Sequence, residues 1–158
     1  MCYYVDSQIT KKDLKKMYNV GYEGKDFEAK DFLNGYSHPW VAVILDENPA
    51  VATAANWGLL PAWAKDRSLQ KQTLNAKIET IAEKPSFRNN VQKRCLVLVK
   101  GFYEWKWLDG KGKVKQKHFL ALPDTNIMAL GGIYGNWTDK ESGEELTTFS
   151  IVTTEANA

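Results

Sequence analysis

The second residue of the chain is the clearest candidate for chemistry. The sequence begins Met1-Cys2, and cysteine is small enough for the methionine before it to be removed. Cys2 would then carry an α-amine of ordinary pKa about 7.7 next to a thiol of ordinary pKa about 8.5. The amine can condense with an aldehyde to a Schiff base, which the thiol can close to a thiazolidine ring. Cysteine at this position is otherwise a coincidence, so the rest of the chain must supply a site.

Composition indicates a globular protein. The chain has 158 residues, of which 44% are hydrophobic and 12% aromatic, enough for one domain with a sizeable core. It contains neither the apolar run of about 20 residues that a membrane span needs nor the regions of a secretory signal. We therefore expect a cytoplasmic protein that does not bind membranes. The net charge of +2 excludes a general polyanion binder, although 21 basic residues could cluster on one face.

The number and spacing of the cysteines and histidines limit which metal sites are possible. The chain has two cysteines, Cys2 and Cys95, and two histidines, His38 and His118. Two cysteines make no disulfide framework, and the four residues lack the close paired spacing of a zinc site. We predict no structural metal and no cofactor.

The first half of the chain predicts a helix and a hairpin. Thr10 can cap a helix in which Asp13 occupies the N3 position of a capping box. Apolar, β-branched runs at 40–45 and 51–57 flank a turn sequence and predict a β-hairpin. Between about 76 and 83, the spacing of apolar residues predicts a short helix that a following proline ends.

The second half alternates between apolar runs and turn sequences. Strands are predicted at 95–108, 118–122, 127–137 and 146–154, and they would form an antiparallel meander. The predicted fold is α+β, with a curved or pseudo-barrel, mainly antiparallel sheet and a few short helices. Since the chain has no internal repeat or linker, we expect residues 1–158 to form a single domain.

Spaced motifs give the chain a family resemblance. After Met1-Cys2 come WGLLPAW (57–63), NAKIET (75–80), PSFR (85–88), RCL (94–96), GFYEW (101–105) and FSIVTTEAN (149–157). In this order they resemble the SRAP family, the SOS-response-associated peptidases, over nearly the whole chain. Each motif alone is weak, but their agreement in order is specific.

The resemblance implies a function in the response to DNA damage. The family senses abasic sites in single-stranded DNA and captures them through the N-terminal cysteine as a stable DNA–protein crosslink. An abasic sugar opens to an aldehyde, the electrophile that a 1,2-aminothiol traps. Family members also remove the residue before this cysteine autocatalytically, although a host aminopeptidase could remove Met1 here. The expected partner is single-stranded DNA, bound by a monomer that would be nucleoid-associated when on DNA.

Two catalytic partners for Cys2 are implied by the resemblance. Glu104 lies in an otherwise aromatic and apolar segment, where partial desolvation could raise its pKa. The resemblance makes it the acid/base for Schiff-base formation, whereas the residues alone also allow an outward-facing strand glutamate. Asn75 can hold the opened sugar through its amide, or it can simply cap the short helix predicted after it.

The predicted DNA-binding residues combine cations with aromatic rings. Lys77 and Arg88 would contact phosphates, and Trp63 and Phe87 would stack on bases. Lys77 stands where the family has arginine, so a phosphate there would meet a point charge without bidentate geometry. Pro39, in a loop that borders DNA in the family, either wedges the strands or shapes its loop. We expect the remaining candidates, Trp57 and Trp105, to be at least half buried.

The chain departs from the family pattern at both ends. Tyr3 and Tyr4 replace the glycine and arginine that usually follow the cysteine, which adds bulk and removes a cation. The family pattern also continues beyond Ala158 to a catalytic histidine, and neither His38 nor His118 falls in that motif. We therefore expect the SRAP-like domain to be incomplete at its C-terminus and its activity to be reduced.

Other functions remain open at the level of the sequence. An N-terminal-nucleophile amidohydrolase also begins at a processed cysteine, but we find none of the downstream motifs of that class. A non-covalent single-stranded-DNA binding module with an inert Cys2 is the second alternative. Protease action on other proteins ranks lowest, because no base is paired with Cys95 or a serine in a recognisable order.

Overall fold

The computed structural model describes residues 1–155 and consists mainly of β-strands. In chain order these are β1 (Tyr4–Asp6), β2 (Gly21–Tyr22), β3 (Leu33–Asn34), β4 (Trp40–Leu45), β5 (Val51–Trp57), β6 (Asn75–Lys77), β7 (Arg94–Val99), β8 (Gly101–Trp107), β9 (Lys115–Leu120), β10 (Met128–Thr138) and β11 (Glu145–Thr153). Helix α1 spans Lys11–Tyr18, and short 3₁₀ helices lie at Gly35–Ser37, Arg67–Gln72 and Arg88–Asn90. Residues 156 and 157 of the family-like segment lie outside the described residues.

The larger sheet closes into a barrel. Strands β5, β4, β7, β10 and β11 are successive antiparallel neighbours, and β11 returns to pair in parallel with β5. Trp57 of β5 and Phe149 of β11 are fully buried in the main core and stack with their ring centroids 6.1 Å apart. The predicted hairpin corresponds to β4 and β5. The predicted pseudo-barrel and the α+β class are confirmed.

One local prediction is confirmed and one is wrong. Thr10 and Asp13 form the predicted capping box at the start of α1. Residues 76–83 are all described by the structure and form no helix. Residues 75–77 instead form β6, which pairs in parallel with β11. Ala76 is fully buried between Leu59 and Ile133, and turns follow it. Pairing with a distant strand therefore overrides the helical spacing.

The smaller sheet brings the N-terminus beside β8. Its order is β3-β1-β8-β9, and Tyr4 of β1 lies opposite Tyr103 of β8. The strand predicted over 95–108 is wrong as a single element, because the chain leaves the barrel after β7 and enters this sheet at β8. At the transition, a Cβ on Gly101 would lie 2.5 Å from the Leu120 carbonyl oxygen. A glycine therefore permits the close approach of β9. The predicted antiparallel pairings hold for β8 with β9 and for β7, β10 and β11, but β9 and β10 lie in different sheets.

Among residues 1–155, no helix is long and apolar enough to cross a membrane.

Candidate active site

Cys2 lies two residues before β1, in the main core. Its side chain is 5% exposed and belongs to the main hydrophobic core. Its backbone N–H donates a hydrogen bond of 3.1 Å to Oδ1 of Asn75. Asn75 begins β6 and lies opposite Ile151 of β11, so the rim of the barrel fixes the position of this amide. The structure thus brings together two of the predicted catalytic residues that are 73 positions apart in sequence.

Glu104 contacts Met1, the residue before Cys2. Its Oε1 atom is 3.3 Å from the α-ammonium of Met1. The pairing of β1 with β8 creates this contact, because it aligns Tyr4 with Tyr103 and so brings the first residues alongside Glu104. The three predicted catalytic residues therefore surround the Met1–Cys2 peptide bond, with a carboxylate on the terminal amine and an amide oxygen on the peptide N–H.

The Cys2 thiol is protonated at neutral pH while Met1 is in place. Burial is the main reason that the pKa of this thiol is raised to about 12, and the negative charge of Glu104 is the second. The nearby Met1 ammonium acts in the opposite direction and lowers it. Removal of Met1 would move that positive charge onto Cys2 itself, which favours the thiolate and strengthens the nucleophile.

Asn75 retains a free donor at this site. Its Nδ2 atom is buried and has no hydrogen-bond partner among the described residues. A buried amide N–H without a partner costs about 1–3 kcal/mol. A bound oxygen atom, from a hydroxyl or a phosphate, would remove that cost.

Two cavities adjoin Met1. The first, of about 300 Å³, is lined by Tyr3, Tyr36, Asn75 and Phe87 among others, and its cations are Lys71, Lys77 and Lys84. The described residues that line it include no carboxylate, so its positive potential suits phosphate. The second, of about 220 Å³, includes Met1, Cys2 and Glu104 in its lining. Met1 thus lies between the nucleophile and a cationic cavity.

Comparison with known proteins identifies the family of the chain. The profile of the family described as SOS response associated peptidase (SRAP) matches residues 1–158. The chain belongs to the SRAP family. The family resemblance inferred from the motifs is confirmed.

Relatives in this SRAP family include two proteins of Bacillus subtilis. The chain is 44% identical over 102 residues to the abasic site processing protein YoqW, which aligns 64% of this chain with 44% of YoqW. It is 40% identical over 118 residues to the abasic site processing protein YoaM, with 74% of this chain and 51% of YoaM aligned. The chain therefore spans about half the length of these curated relatives.

A solved structure supports the fold of this SRAP chain. The crystal structure of a protein from Bacteroides thetaiotaomicron superposes with a TM-score of 0.87 at 31% sequence identity, covering 99% of this chain and 69% of that one. At this similarity the two chains share the same overall fold.

The predicted DNA-binding residues of the SRAP chain fall into two groups. Lys77 is exposed at the cationic cavity. Trp63 is 52% exposed and lines a groove of about 400 Å³ that continues from this cavity through Lys71 and Gln72. Arg88 is exposed on a 3₁₀ helix and lines neither space. Lys77 and Trp63 therefore have the accessibility that a DNA contact requires.

Phe87 and Pro39 are both buried. Phe87 is 7% exposed and packs with Leu59, Ala76 and Ile133, so it has little ring surface on which a base could stack. Pro39 is buried, and its carbonyl accepts the Trp57 N–H, which agrees with a loop-shaping role. Trp57 is fully buried and Trp105 largely so, as predicted.

The structure adds one residue to the site, Tyr36, that carried no signal in the sequence. Tyr3 stacks on Tyr36 with ring centroids 5.2 Å apart and so forms one wall of the cationic cavity. Its neighbour Tyr4 faces away and packs on Phe32 and Trp105. The bulk added by Tyr3 therefore affects the cavity, and that of Tyr4 does not. Alternation along β1 could have indicated this separation, but the partner Tyr36 could not be inferred.

The two histidines have separate environments. The Nδ1 atom of His38 lies 2.9 Å from the Trp57 carbonyl oxygen, which it can contact as a donor. His118 is exposed and lies directly opposite Glu104 across the β8–β9 pair. Within residues 1–155, no group of three or more acidic, histidine or cysteine residues could hold a metal ion.

Proposed function

We propose that this SRAP chain captures abasic sites in single-stranded DNA through a covalent bond to Cys2. The observation that carries the proposal is the convergence of Cys2, Asn75 and Glu104 on one peptide bond, beside a cationic cavity. The names of the Bacillus relatives, abasic site processing proteins, support the same substrate.

The first step is removal of Met1 by hydrolysis. Water adds to the Met1 carbonyl carbon, the bond to the Cys2 nitrogen breaks, and that nitrogen takes up a proton to leave as an amine. Asn75 accepts a hydrogen bond from this nitrogen and holds it in place. The SRAP family name suggests autocatalysis, for which Glu104 is the available general base. The product is the N-terminal aminothiol.

The second step is capture of the sugar aldehyde. The Cys2 amine adds to the aldehyde carbon, and loss of water gives a Schiff base. Glu104 takes a proton from the nitrogen as it adds and returns it to the hydroxyl that leaves as water. The thiol sulfur then adds to the same carbon, its proton passes to the nitrogen, and the thiazolidine closes. The Asn75 Nδ2 donor would orient a hydroxyl of the opened sugar during both additions.

DNA flanking the abasic site would follow the cationic cavity and the adjoining groove. Lys71, Lys77 and Lys84 offer three positive charges for phosphates, and Trp63 offers an exposed ring for a base. Lys77 acts as a point charge, without the two-pronged geometry of arginine.

A denaturing gel tests the proposal. Protein with a mass-verified Cys2 N-terminus is incubated with a single-stranded oligonucleotide containing one abasic site. We expect a heat-stable shifted band for the wild type, no such band for Cys2→Ala, and full retention for Cys95→Ala. Absence of the band from processed wild-type protein refutes the proposal. Ammonia release from glutamine that alkylation of Cys2 blocks would instead indicate an amidohydrolase.

A further inference from the structure

The outer side of the smaller sheet carries a continuous aromatic surface, which we term the outer aromatic face. It consists of Tyr4, Phe32, Tyr103, Trp105, Trp107 and Phe119. Phe32 lies at its centre, with ring centroids 4.7 Å from Tyr4 and 5.0 Å from Tyr103. Tyr103 in turn lies 5.0 Å from Phe119. The face is accessible, since Phe32, Phe119 and Trp107 are 40%, 45% and 56% exposed.

Two lysines of β9 lie over these rings. The Lys117 ammonium is 5.0 Å from the centroid of Phe32 and 5.2 Å from that of Tyr103. The Lys115 ammonium is 5.4 Å from the Trp105 ring and 5.7 Å from the Trp107 ring. These distances allow cation–π attraction. The positive charges are therefore held at the aromatic surface itself.

Positive charge is concentrated in this part of the chain. Residues 100–117 contain six lysines against two carboxylates, whereas the whole chain has 21 basic and 19 acidic residues. Of those two carboxylates, Glu104 lies on the opposite side of β8 and pairs with Met1. Acidic residues lie at the Tyr103 end of the face. Burial is the main cause that raises the pKa of Tyr103, and the negative charges of Asp6 and Asp31 raise it further. An anionic partner would therefore contact the Lys115 and Lys117 side.

We propose that the outer aromatic face is a second binding surface for single-stranded nucleic acid. Unpaired bases have flat faces that stack on exposed rings, and the phosphates between them pair with the interleaved lysines. Lys115 and Lys117 leave the rings for phosphates as the bases replace them.

Other partners fit the face less well. Tyr4, Tyr103 and Trp105 are only partly exposed within the sheet, so they offer ring surface and cannot insert deeply into a lipid layer. A second copy of the chain would bring Lys115 and Lys117 against their own equivalents, which like-charge repulsion opposes. Paired bases in a duplex cannot lie on the rings. Single-stranded nucleic acid can stack its bases on the rings and pair its phosphates with the lysines.

The face is connected to the candidate active site through two strands. Tyr4 is two residues from Cys2, and Glu104 lies between Tyr103 and Trp105 with its side chain on the opposite side of β8. A strand bound at Cys2 could therefore continue around the edge of the sheet. Binding at this face nevertheless requires neither an abasic site nor Cys2 chemistry.

Fluorescence anisotropy with an unmodified 20-nucleotide oligo-dT tests this proposal. Lys115→Gln/Lys117→Gln should weaken binding about tenfold at low salt and reduce the salt slope by about 0.7 per phosphate that is no longer neutralised. Trp107→Ala/Phe119→Ala should weaken it by at least as much, because it removes two rings on which bases would stack. Lys12→Gln/Lys16→Gln, which removes the same charge from exposed positions of α1, is the control and should bind like the wild type.

Three results would overturn the proposal. The first is equal binding of oligo-dT by the two lysine double variants. The second is that the variants of the outer aromatic face lose as much affinity for duplex DNA as for oligo-dT, which would indicate phosphate contact without stacking. The third is that Lys115→Gln/Lys117→Gln leaves oligo-dT binding unchanged but weakens another interaction. That interaction would be binding to phosphatidylserine vesicles or self-association measured by sedimentation. Crosslinking at Cys2 is not measured here, so failure of the proposed abasic-site activity leaves this test intact.

Discussion

Glu104 holds the first amine of the chain, with its Oε1 atom 3.3 Å from the Met1 nitrogen. Because Asn75 Oδ1 accepts the next N–H, that of Cys2, at 3.1 Å, the backbone is held on both sides of the bond that must break. Loss of Met1 removes the partner of Glu104 and leaves its carboxylate facing the new Cys2 amine. The same carboxylate can therefore serve in both proposed steps.

Replacement of Glu104 by glutamine tests this double role. Glu104→Gln keeps the shape of the side chain but cannot exchange a proton. We expect the initial rate of abasic-site crosslinking to fall by about 10²- to 10⁴-fold, the range for loss of a general acid or base. The rate is measured by a gel time course with protein whose N-terminus is Cys2.

Intact mass separates the two steps for the same variant. If removal of Met1 is autocatalytic, Glu104→Gln should retain Met1 where the wild type loses it. Glu141→Gln, in the exposed turn between β10 and β11, is the matched control and should behave like the wild type. Unchanged crosslinking by Glu104→Gln would contradict its role in capture.

The roles of the two hydrogen-bonding atoms of Asn75 can also be tested separately. Asn75→Asp keeps the acceptor for the Cys2 N–H but loses the Nδ2 donor, and Asn75→Ala loses both. We expect Asn75→Asp to crosslink about tenfold more slowly, the effect of about 1.4 kcal/mol from one missing hydrogen bond. Asn75→Ala should be slower still and also less stable to thermal unfolding. Wild-type activity in Asn75→Asp would show that the donor is not used.

The sequence predicted features with local signals better than those with distant partners. The capping box of Thr10 and Asp13 involves residues three positions apart, and the β4–β5 hairpin follows from adjacent runs. By contrast, β6 is a strand because Ala76 pairs with Val152, a pairing that the helical spacing of nearby apolar residues concealed. The burial of Phe87 likewise depends on residues from other elements.

The candidate site shows the same division. Cys2 was identified from its chemistry next to Met1, and Asn75 and Glu104 from the family resemblance, and both arguments identify residues and not distances. Their meeting depends on the β1–β8 and β6–β11 pairings. Pairings between strands so far apart in sequence could not be assigned from periodicity, because many registers satisfy the same alternation.

Trp63 and Phe87 should respond differently to truncation. Trp63→Ala removes an exposed ring, so non-covalent affinity for abasic oligonucleotide should fall by about 1–3 kcal/mol with little change in stability. Phe87→Ala creates a cavity in a buried cluster and should cost about 3–5 kcal/mol of unfolding free energy. Anisotropy and urea unfolding measure the two effects. A stable Phe87→Ala protein that binds DNA weakly would restore Phe87 as a stacking residue.

The reactivity of the two cysteines should depend on Met1. Cys2 and Cys95 are each 5% exposed, and burial is the main cause that raises the pKa of each thiol to about 12. Because the pKa is raised, the thiolate is scarce below pH 12, and at pH 8 about one thiol in 10⁴ is ionised. Alkylation by iodoacetamide should therefore be slow at both residues while Met1 is present and should accelerate with rising pH.

Removal of Met1 should change only one of them. The new ammonium lies on Cys2 itself, where its charge lowers the thiol pKa, while Cys95 keeps its burial and the nearby Asp46 charge that raises its own. Proteins released from a cleavable fusion with either Met1 or Cys2 first can be compared at pH 8 by peptide mass spectrometry. We expect selective acceleration at Cys2, with Cys95 as the internal control. Equal acceleration at both residues would indicate general loosening of the core, and no acceleration would leave Cys2 too weak a nucleophile for the proposed capture.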